Sequence, residues 1–171
     1  MRDGFTNGIS LLALLVLGLS AGAMLAEAAT LVPYWQRISA DAFFDWYAAH
    51  ADLLVGFYSP LQISSAVLAV AALALNAIGR RPLPFWGLSA ALSLVVLGLF
   101  FVYFRDANAG FSSRSIAAQD LPAALQTWGA WQWARVAVGT AAFAAAAAAV
   151  MRTPEGPRER DPVRRGGERA A

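Results

Sequence analysis

Four long apolar runs restrict the fold of this chain more than any other feature. They cover residues 9–32, 53–78, 85–104 and 128–151. A helix needs roughly 20 mainly apolar residues to cross a bilayer, and short connections make neighbouring helices antiparallel. The sequence therefore predicts an all-α fold, an integral membrane four-helix bundle in residues 1–151. Residues 152–171 are rich in Pro, Gly and charge and are predicted to be a disordered tail.

Arginine placement predicts how these segments are oriented. Arg80 and Arg81 lie between the second and third segments, and six arginines follow Met151. Both groups fall on the side of the amino terminus if all four segments cross the membrane. Because cytoplasmic loops carry an excess of Lys and Arg, the sequence predicts a multi-pass protein of the cell membrane with cytoplasmic N- and C-termini.

The connection between the first and second segments contains a predicted short amphipathic helix on the outer side. Ser39 is a favourable N-cap residue, and the stretch ADAFFDWYAAH follows it. The aromatic residues of this stretch are Phe43, Phe44, Trp46 and Tyr47. Their side chains suit either the bilayer interface, where aromatic rings are enriched, or a lid over the bundle.

Two charged residues lie inside the apolar segments, where charge is costly. Glu27 belongs to the first segment, and Arg135 lies roughly 10 Å inside the fourth at 1.5 Å per residue. The two are at a similar depth, and we expect them to pair because an isolated buried charge would cost several kcal/mol. Such a pair either serves a function, as a base or a ligand anchor, or only fixes the register of the helices.

Most other polar side chains in or near the segments belong to the same outer half as this pair. They are Gln62, Tyr103, Asn108 and Gln132, with His50 and Asp52 just above them. The inner half has little beyond Ser10 and Asn76. This distribution predicts a polar pocket that opens outward or into the outer leaflet. It argues against a continuous ion pathway, which needs polar groups at all depths.

The sequence also excludes several kinds of chemistry. The chain has one histidine and no cysteine, so typical transition-metal, haem and iron–sulfur sites lack ligands. It contains no GxSxG serine elbow, no phosphate-binding glycine loop and no basic patch interleaved with aromatic residues. We therefore predict no metal, no cofactor and no nucleic-acid partner. The predicted partner is the lipid bilayer, and assembly into a homo-oligomer is an open alternative.

Three stretches give the chain a resemblance to a known family. They are GLSAGAMLAEAATLVPYW at residues 18–35, DANAGF at 106–111 and LQTWGAWQWARV at 125–136. Together with the helix spacing over roughly residues 10–150, they resemble the DUF1772 family of small four-helix membrane proteins, which includes anthrone oxygenase-like proteins. At the place of a family histidine, between Gln132 and Arg135, this chain has Trp133.

The resemblance implies cofactor-independent oxygenation of an anthrone-like aromatic or other hydrophobic small molecule in the outward-facing pocket. Glu27 would be the base, and Arg135 with Asn108 would stabilise the enolate oxygen. The residues that would bind substrate are Trp128, Trp131, Gln132, Tyr103, Gln62 and His50. The alternative is a non-catalytic membrane binding protein or assembly subunit, which the missing cofactor motifs also fit. A transporter fits less well because the chain has no internal inverted repeat.

Overall fold

The computed structural model describes residues 2–79 and 83–152 of the chain. In this part of the chain, four helices are long and apolar enough to cross a membrane. They are α1, from Arg2 to Trp35, α2, Ala40–Ile78, α3, from Pro84 to Ser112, and α4, Leu121–Met151. Arg80, Arg81 and the tail beyond Arg152 lie outside the described residues, so the orientation and the disordered tail stay predictions.

Two of these helices, α1 and α3, each contain a single π-helical turn. The parts of α1 are Arg2–Ala26, the π turn Glu27–Leu31, and Val32–Trp35. The parts of α3 are Pro84–Leu99, the π turn Phe100–Phe104, and Arg105–Ser112. A π turn adds a residue to the helix, and such turns often occur at functional sites.

The predicted short outer helix is not a separate element. Ala40–Ile78 is one helix, so the stretch after Ser39 forms the first part of α2. Ser39 caps this helix as predicted, because its Oγ accepts a hydrogen bond from the Ala42 N–H at 3.4 Å. The helix continues past Ala51 because the sequence has no Gly or Pro from Ala40 to Val55 that would end it.

The last two helices extend beyond the predicted segments 85–104 and 128–151. The third, α3, continues to Ser112 and ends just before Arg114, whose φ of 52° is uncommon for a residue other than glycine. The fourth, α4, begins at Leu121 and carries Pro122 in its first turn, where a missing N–H is tolerated. The fourth helix therefore begins before residue 128, where the apolar segment starts in the sequence.

Each long helix packs mainly against two others. Both α1 and α3 contact α2 and α4. Between α1 and α2, the Tyr58 hydroxyl donates to the Ala23 carbonyl at 3.4 Å, and Asn76 Nδ2 donates to Ser10 Oγ at 3.2 Å. Such side-chain bonds between apolar helices add to the van der Waals contacts that hold them together.

One end of the molecule, named here the aromatic end, is held together by large side chains. Its buried cluster consists of Val32, Trp35, Phe43, Phe44, Tyr47, Phe104, Phe111, Leu121, Leu125 and Trp128. The Trp35 ring is 5.3 Å from Trp128 and 5.8 Å from Phe43, measured between centroids. Phe43 and Tyr47 are 0% and 4% exposed. These rings are therefore buried inside the aromatic end and do not lie on the surface of the molecule.

The opposite end, named here the alanine end, is packed with small side chains. Its buried cluster consists of Ala13, Leu17, Ala69, Ala72, Trp86, Ala90, Ala142, Ala146 and Ala149. Small residues allow membrane helices to approach closely. Toward the middle of the molecule, a Cβ added at Gly139 would overlap Met24 Cε. The close approach of α1 and α4 therefore requires glycine at this position unless Met24 moves.

Candidate functional site

A recess lies at the aromatic end, lined by all four long helices. It holds about 500 Å³ of space between protein atoms, part of it open to the surroundings. Its polar lining residues include Glu27, Tyr47, Tyr58, Ser59, Gln62, Asn108 and Arg135, and Trp35, Phe100 and Trp128 contribute further rings. Apolar walls with a few convergent polar groups are typical of small-molecule sites.

The charged pair predicted from the sequence is present in this recess. Arg135 Nη2 lies 3.3 Å from Glu27 Oε2, and the two residues are 5% and 4% exposed. Gln132 Nε2 donates to the same carboxylate oxygen at 2.8 Å and to the Met24 carbonyl at 3.1 Å. Two donors on one oxygen offset part of the cost of burying the carboxylate. Both bonds end on Oε2, so neither uses Glu27 Oε1.

Arg135 has a second partner on α3. Its guanidinium carbon lies 4.2 Å from the centroid of the Phe104 ring. A desolvated cation over an aromatic face gains about 2 kcal/mol. The guanidinium is therefore held from two sides, by the Glu27 carboxylate of α1 and by the Phe104 ring of α3.

The two π turns place residues of α1 and α3 in the recess. Glu27 and Trp35 are eight positions apart in α1, Phe100 and Asn108 are eight positions apart in α3, and all four line the recess. In an uninterrupted α-helix, residues eight apart differ by about 80° around the axis, whereas one inserted residue brings them within about 20°. Each π turn thus aligns two recess residues on one helix face.

Trp128 holds the Asn108 side chain at the recess. Trp128 Nε1 donates to Asn108 Oδ1 at 2.9 Å. The indole ring is itself fixed, because its centroid lies 5.3 Å from that of Trp35 and 5.2 Å from that of Phe104. Since the amide oxygen of Asn108 already accepts this bond, its amide nitrogen is the group that remains to donate to a bound molecule.

Two buried donors of the recess residues have no acceptor within the part of the chain that the structure describes. They are Trp35 Nε1 and Arg135 Nε, on side chains of residues that are 1% and 5% exposed. An unsatisfied buried donor costs about 1–3 kcal/mol. Both nitrogens are enclosed by protein atoms, so an acceptor oxygen of a bound molecule would reach them only if the surrounding side chains move.

Some of the predicted site residues line the recess, and others lie outside it. Those that line it are Glu27, Gln62, Asn108, Trp128 and Arg135, and Gln132 adjoins it through its bond to Glu27. His50 lies outside it and stacks on Trp46 at 4.4 Å, with Nδ1 2.7 Å from the Trp46 carbonyl oxygen.

Two further candidates for substrate binding, Tyr103 and Trp131, also lie outside the recess. They stack on each other with centroids 5.1 Å apart, so each covers the apolar face of the other. Trp133 is 50% exposed and belongs to the outer surface of α4. Trp133 is five positions from Trp128, so at about 100° per residue it lies on a different face of α4.

The sequence does not predict several residues that line the recess, notably Trp35, Tyr47, Tyr58 and Phe100. Tyr47 and Tyr58 could have been found from their spacing. The lining residues of α2 fall at positions 47, 51, 54, 55, 58, 59 and 62, which is one face of an unbroken helix. This face cannot be recognised in the sequence when residues 40–51 and 53–78 are treated as separate elements, because the periodic spacing is then interrupted.

Buried hydroxyls are more widely spread than the sequence predicts. Ser20, Ser65, Ser89 and Ser93 are all buried, whereas the sequence indicates few polar groups outside the outer half. Ser65 and Ser93 donate to carbonyls one turn earlier, Leu61 and Ser89, each at 2.8 Å. Such back-bonding satisfies a hydroxyl locally, so these serines are compatible with an apolar helix interior.

No known protein family, no curated protein and no solved structure matches this chain. Among residues 2–79 and 83–152, no three His, Asp or Glu side chains cluster as metal ligands would. The site therefore has to be interpreted from its own side chains.

Proposed function

We propose that this membrane protein binds a hydrophobic aromatic small molecule in the recess and oxygenates it without a cofactor. The observation that supports the proposal is a buried carboxylate, Glu27, paired with Arg135 in a recess that also contains Asn108 and the rings of Trp35 and Trp128. The resemblance to anthrone oxygenase-like proteins suggests the substrate class, an anthrone-like ketone with an acidic C–H between aromatic rings.

Each polar group would have a defined task in this reaction. Glu27 Oε1, which neither Arg135 nor Gln132 engages, would remove the proton from the activated carbon. Arg135 Nε and the Asn108 amide nitrogen would donate to the oxygen of the resulting enolate. The Trp128 ring would pack against the substrate rings.

The proposed reaction is balanced with dioxygen as the oxidant. The carbanion form of the enolate transfers electrons to dioxygen and forms a C–O bond, and the resulting peroxide anion takes a proton back from Glu27. Loss of one water from this hydroperoxide leaves a second carbonyl group. One CH₂ and one O₂ thus give one C=O and one H₂O, and Glu27 ends in its original ionised form.

We further propose that the four helices form an antiparallel bundle in the cell membrane with both termini in the cytoplasm. Two contacts between α1 and α2 support this arrangement. Asn76, late in α2, bonds to Ser10, early in α1, and Tyr58, earlier in α2, bonds to Ala23, later in α1, as expected for helices that run in opposite directions. The chain has no cysteine, so single cysteines can report orientation. A membrane-impermeant maleimide added to intact cells should label Ser113→Cys and should not label Gly4→Cys; the reverse pattern would invert the topology.

Oxygen uptake tests the proposed activity. The protein is placed in lipid vesicles with anthrone, and empty vesicles give the uncatalysed rate. We expect uptake above that rate, and a fall of about 100-fold or more with Glu27→Gln, because a general base typically contributes 10²–10⁴-fold. Asp106→Asn makes the same chemical change at a side chain that is 75% exposed, and it should leave the rate unchanged.

Two results would count against the oxygenase. Equal rates for the wild type and Glu27→Gln would exclude Glu27 as the base. Uptake by the wild type no faster than in empty vesicles would contradict oxygenation of this substrate class.

The second candidate is a non-catalytic binding protein or assembly subunit. It is favoured by the contacts of Arg135, which already has Glu27 and Phe104 as partners, so that the same groups could serve only to fix α1, α3 and α4 together. Co-purification of a protein partner, a second copy of this chain included, without a bound small molecule would support this candidate.

A further inference from the structure

We infer that the recess is reached from the bilayer through a groove between α2 and α3, and that its ligand is a membrane-dissolved neutral aromatic molecule with an acceptor oxygen. The inference rests on the proposed binding function of the recess. It adds the route of the ligand and its chemical class, and it does not depend on oxygenation.

The groove lies on the surface where α2 and α3 meet. It is lined by Ser59, Gln62 and Ile63 of α2 and by Leu97, Phe100 and Phe101 of α3, and it holds about 560 Å³ of space. Ile63 and Phe101 are 53% and 64% exposed. In helices that cross a membrane, such apolar side chains face lipid tails, so the groove is open to the bilayer.

The groove and the recess share a boundary. Ser59, Gln62 and Phe100 line both of them. Gln62 is 7% exposed, whereas Ser59 and Phe100 are only partly buried. These three side chains stand between the lipid-facing groove and the recess, and partly exposed side chains change rotamer rapidly.

A route from the loop side is much better closed. A surface depression lies between the connection after α1 and the start of α4, with about 600 Å³ of space that is partly open to the surroundings. Trp35 is the residue that it shares with the recess. The Trp35 ring is 1% exposed and packs within 6.0 Å of four other rings, those of Phe43, Trp46, Tyr47 and Trp128. Opening this path would disrupt the centre of the aromatic cluster.

The chemistry of the ligand follows from the donors and from the route. Trp35 Nε1 and Arg135 Nε are buried donors without an acceptor in the described part of the chain, and both residues line the recess. Both nitrogens are enclosed, so they would donate to a carbonyl or phenol oxygen once the side chains around them shift on binding. The rings of Phe100 and Trp128 favour a flat aromatic body. Because a charge is costly in the hydrocarbon layer, a molecule that arrives through the groove must be neutral.

Benzophenone is a probe with this chemistry, since it is a neutral diaryl ketone that forms covalent adducts with nearby C–H bonds on illumination. The full chain is illuminated with benzophenone in lipid vesicles, and mass spectrometry locates the adducts. We expect adducts on recess residues such as Tyr58 and Trp128 in the wild type. Benzoylbenzoate, its anionic and water-soluble analogue, should not label these residues.

Two tryptophan variants test the groove. Ile63→Trp fills it and should lower adduct formation in the recess several-fold. Val70→Trp adds the same side chain two turns along the lipid-facing surface of α2, where Val70 is 41% exposed, and should change nothing. Adduct formation at lipid-exposed Leu15, which is 59% exposed, should be equal in all variants and shows that each is inserted in the membrane. Equal unfolding midpoints in the same detergent show that each is folded.

Three outcomes would overturn the inference. Recess adducts that are unaffected by Ile63→Trp would exclude the groove as the route. Recess labelling by benzoylbenzoate would indicate access from water, and adducts confined to the groove would indicate that it holds only lipid acyl chains. Photolabelling needs no turnover, so a failed oxygen-uptake experiment with the expected labelling would reject the oxygenase and leave the route intact.

Discussion

At the alanine end, the helices meet through side chains that are mostly a single methyl group, such as those of Ala69 and Ala146. At the aromatic end, they meet through rings packed edge to face, such as those of Trp35 and Phe104 against Trp128. Methyl groups fill the space between close helices evenly. The distance between packed helices depends on the side chains at their contact, and large rings need more room than methyl groups. The recess lies at the end where the side chains are large.

The two ends also differ in how their buried polar groups are satisfied. At the alanine end, Asn76 Nδ2 donates to Ser10 Oγ and to the Ala72 carbonyl, and Ser89 Oγ is the exception without a partner in the described part of the chain. At the aromatic end, a full ion pair is buried and two N–H groups lack acceptors. The alanine end is therefore built for packing, and the aromatic end keeps costly polar groups that packing alone does not require.

Breaking the charged pair at the aromatic end should have the largest effect on the free energy of unfolding. Glu27→Leu leaves the buried Arg135 guanidinium without its carboxylate and should lower the free energy of unfolding by about 3–5 kcal/mol. The double variant Glu27→Leu/Arg135→Met removes both charges and should recover most of the loss. Denaturant unfolding in a single detergent measures both variants. A single variant as stable as the wild type would mean that the pair is retained for another task.

Overfilling the alanine end should have the next largest effect. Ala69 is 0% exposed, and Ala69→Leu should cost about 1–3 kcal/mol because closely packed helices must move apart. Val67→Leu, at a side chain that is 60% exposed on the same helix, is the matched control and should be nearly neutral. If the two variants were equally stable, the close packing inferred for this end would be wrong.

Removing one hydrogen bond at the aromatic end should have a smaller effect. Trp128→Phe keeps an aromatic ring and loses the donor to Asn108, and it should cost about 1 kcal/mol of unfolding free energy. Trp133→Phe makes the same change at a ring that is 50% exposed and should cost less. A large loss with both variants would show that ring volume, and not the bond to Asn108, matters here.

The smallest effect is expected at the surface of the aromatic end. Arg114 pairs with Asp45, and their side chains are 48% and 72% exposed. Asp45→Asn should change the unfolding free energy by less than about 1 kcal/mol. The difference should vanish at high salt, where exposed charges are screened. A larger effect that persists at high salt would mean that this pair holds the first part of α2 against the segment that follows α3.

Part of the site can be predicted from single residues. Glu27 and Arg135 pair as expected, because a charge at that depth needs a partner and the chain offers few. Asn108, Trp128 and Gln62 reach the recess from the depths that their positions in the segments suggest. His50 does not line the recess. Its position in the sequence gives its depth but not the direction of its side chain, because the faces of a helix are known only once its first and last residues are known.

The sequence by itself determines the four apolar helices, because a chain in a bilayer must satisfy its backbone hydrogen bonds internally. The tertiary structure decides which faces of those helices meet. It also decides where α1 and α3 take a π turn, since such a turn is a local compromise set by packing against other helices and has no strong sequence signal. Those two turns align Glu27 with Trp35 and Phe100 with Asn108, so the recess depends on a register that only the packed molecule defines.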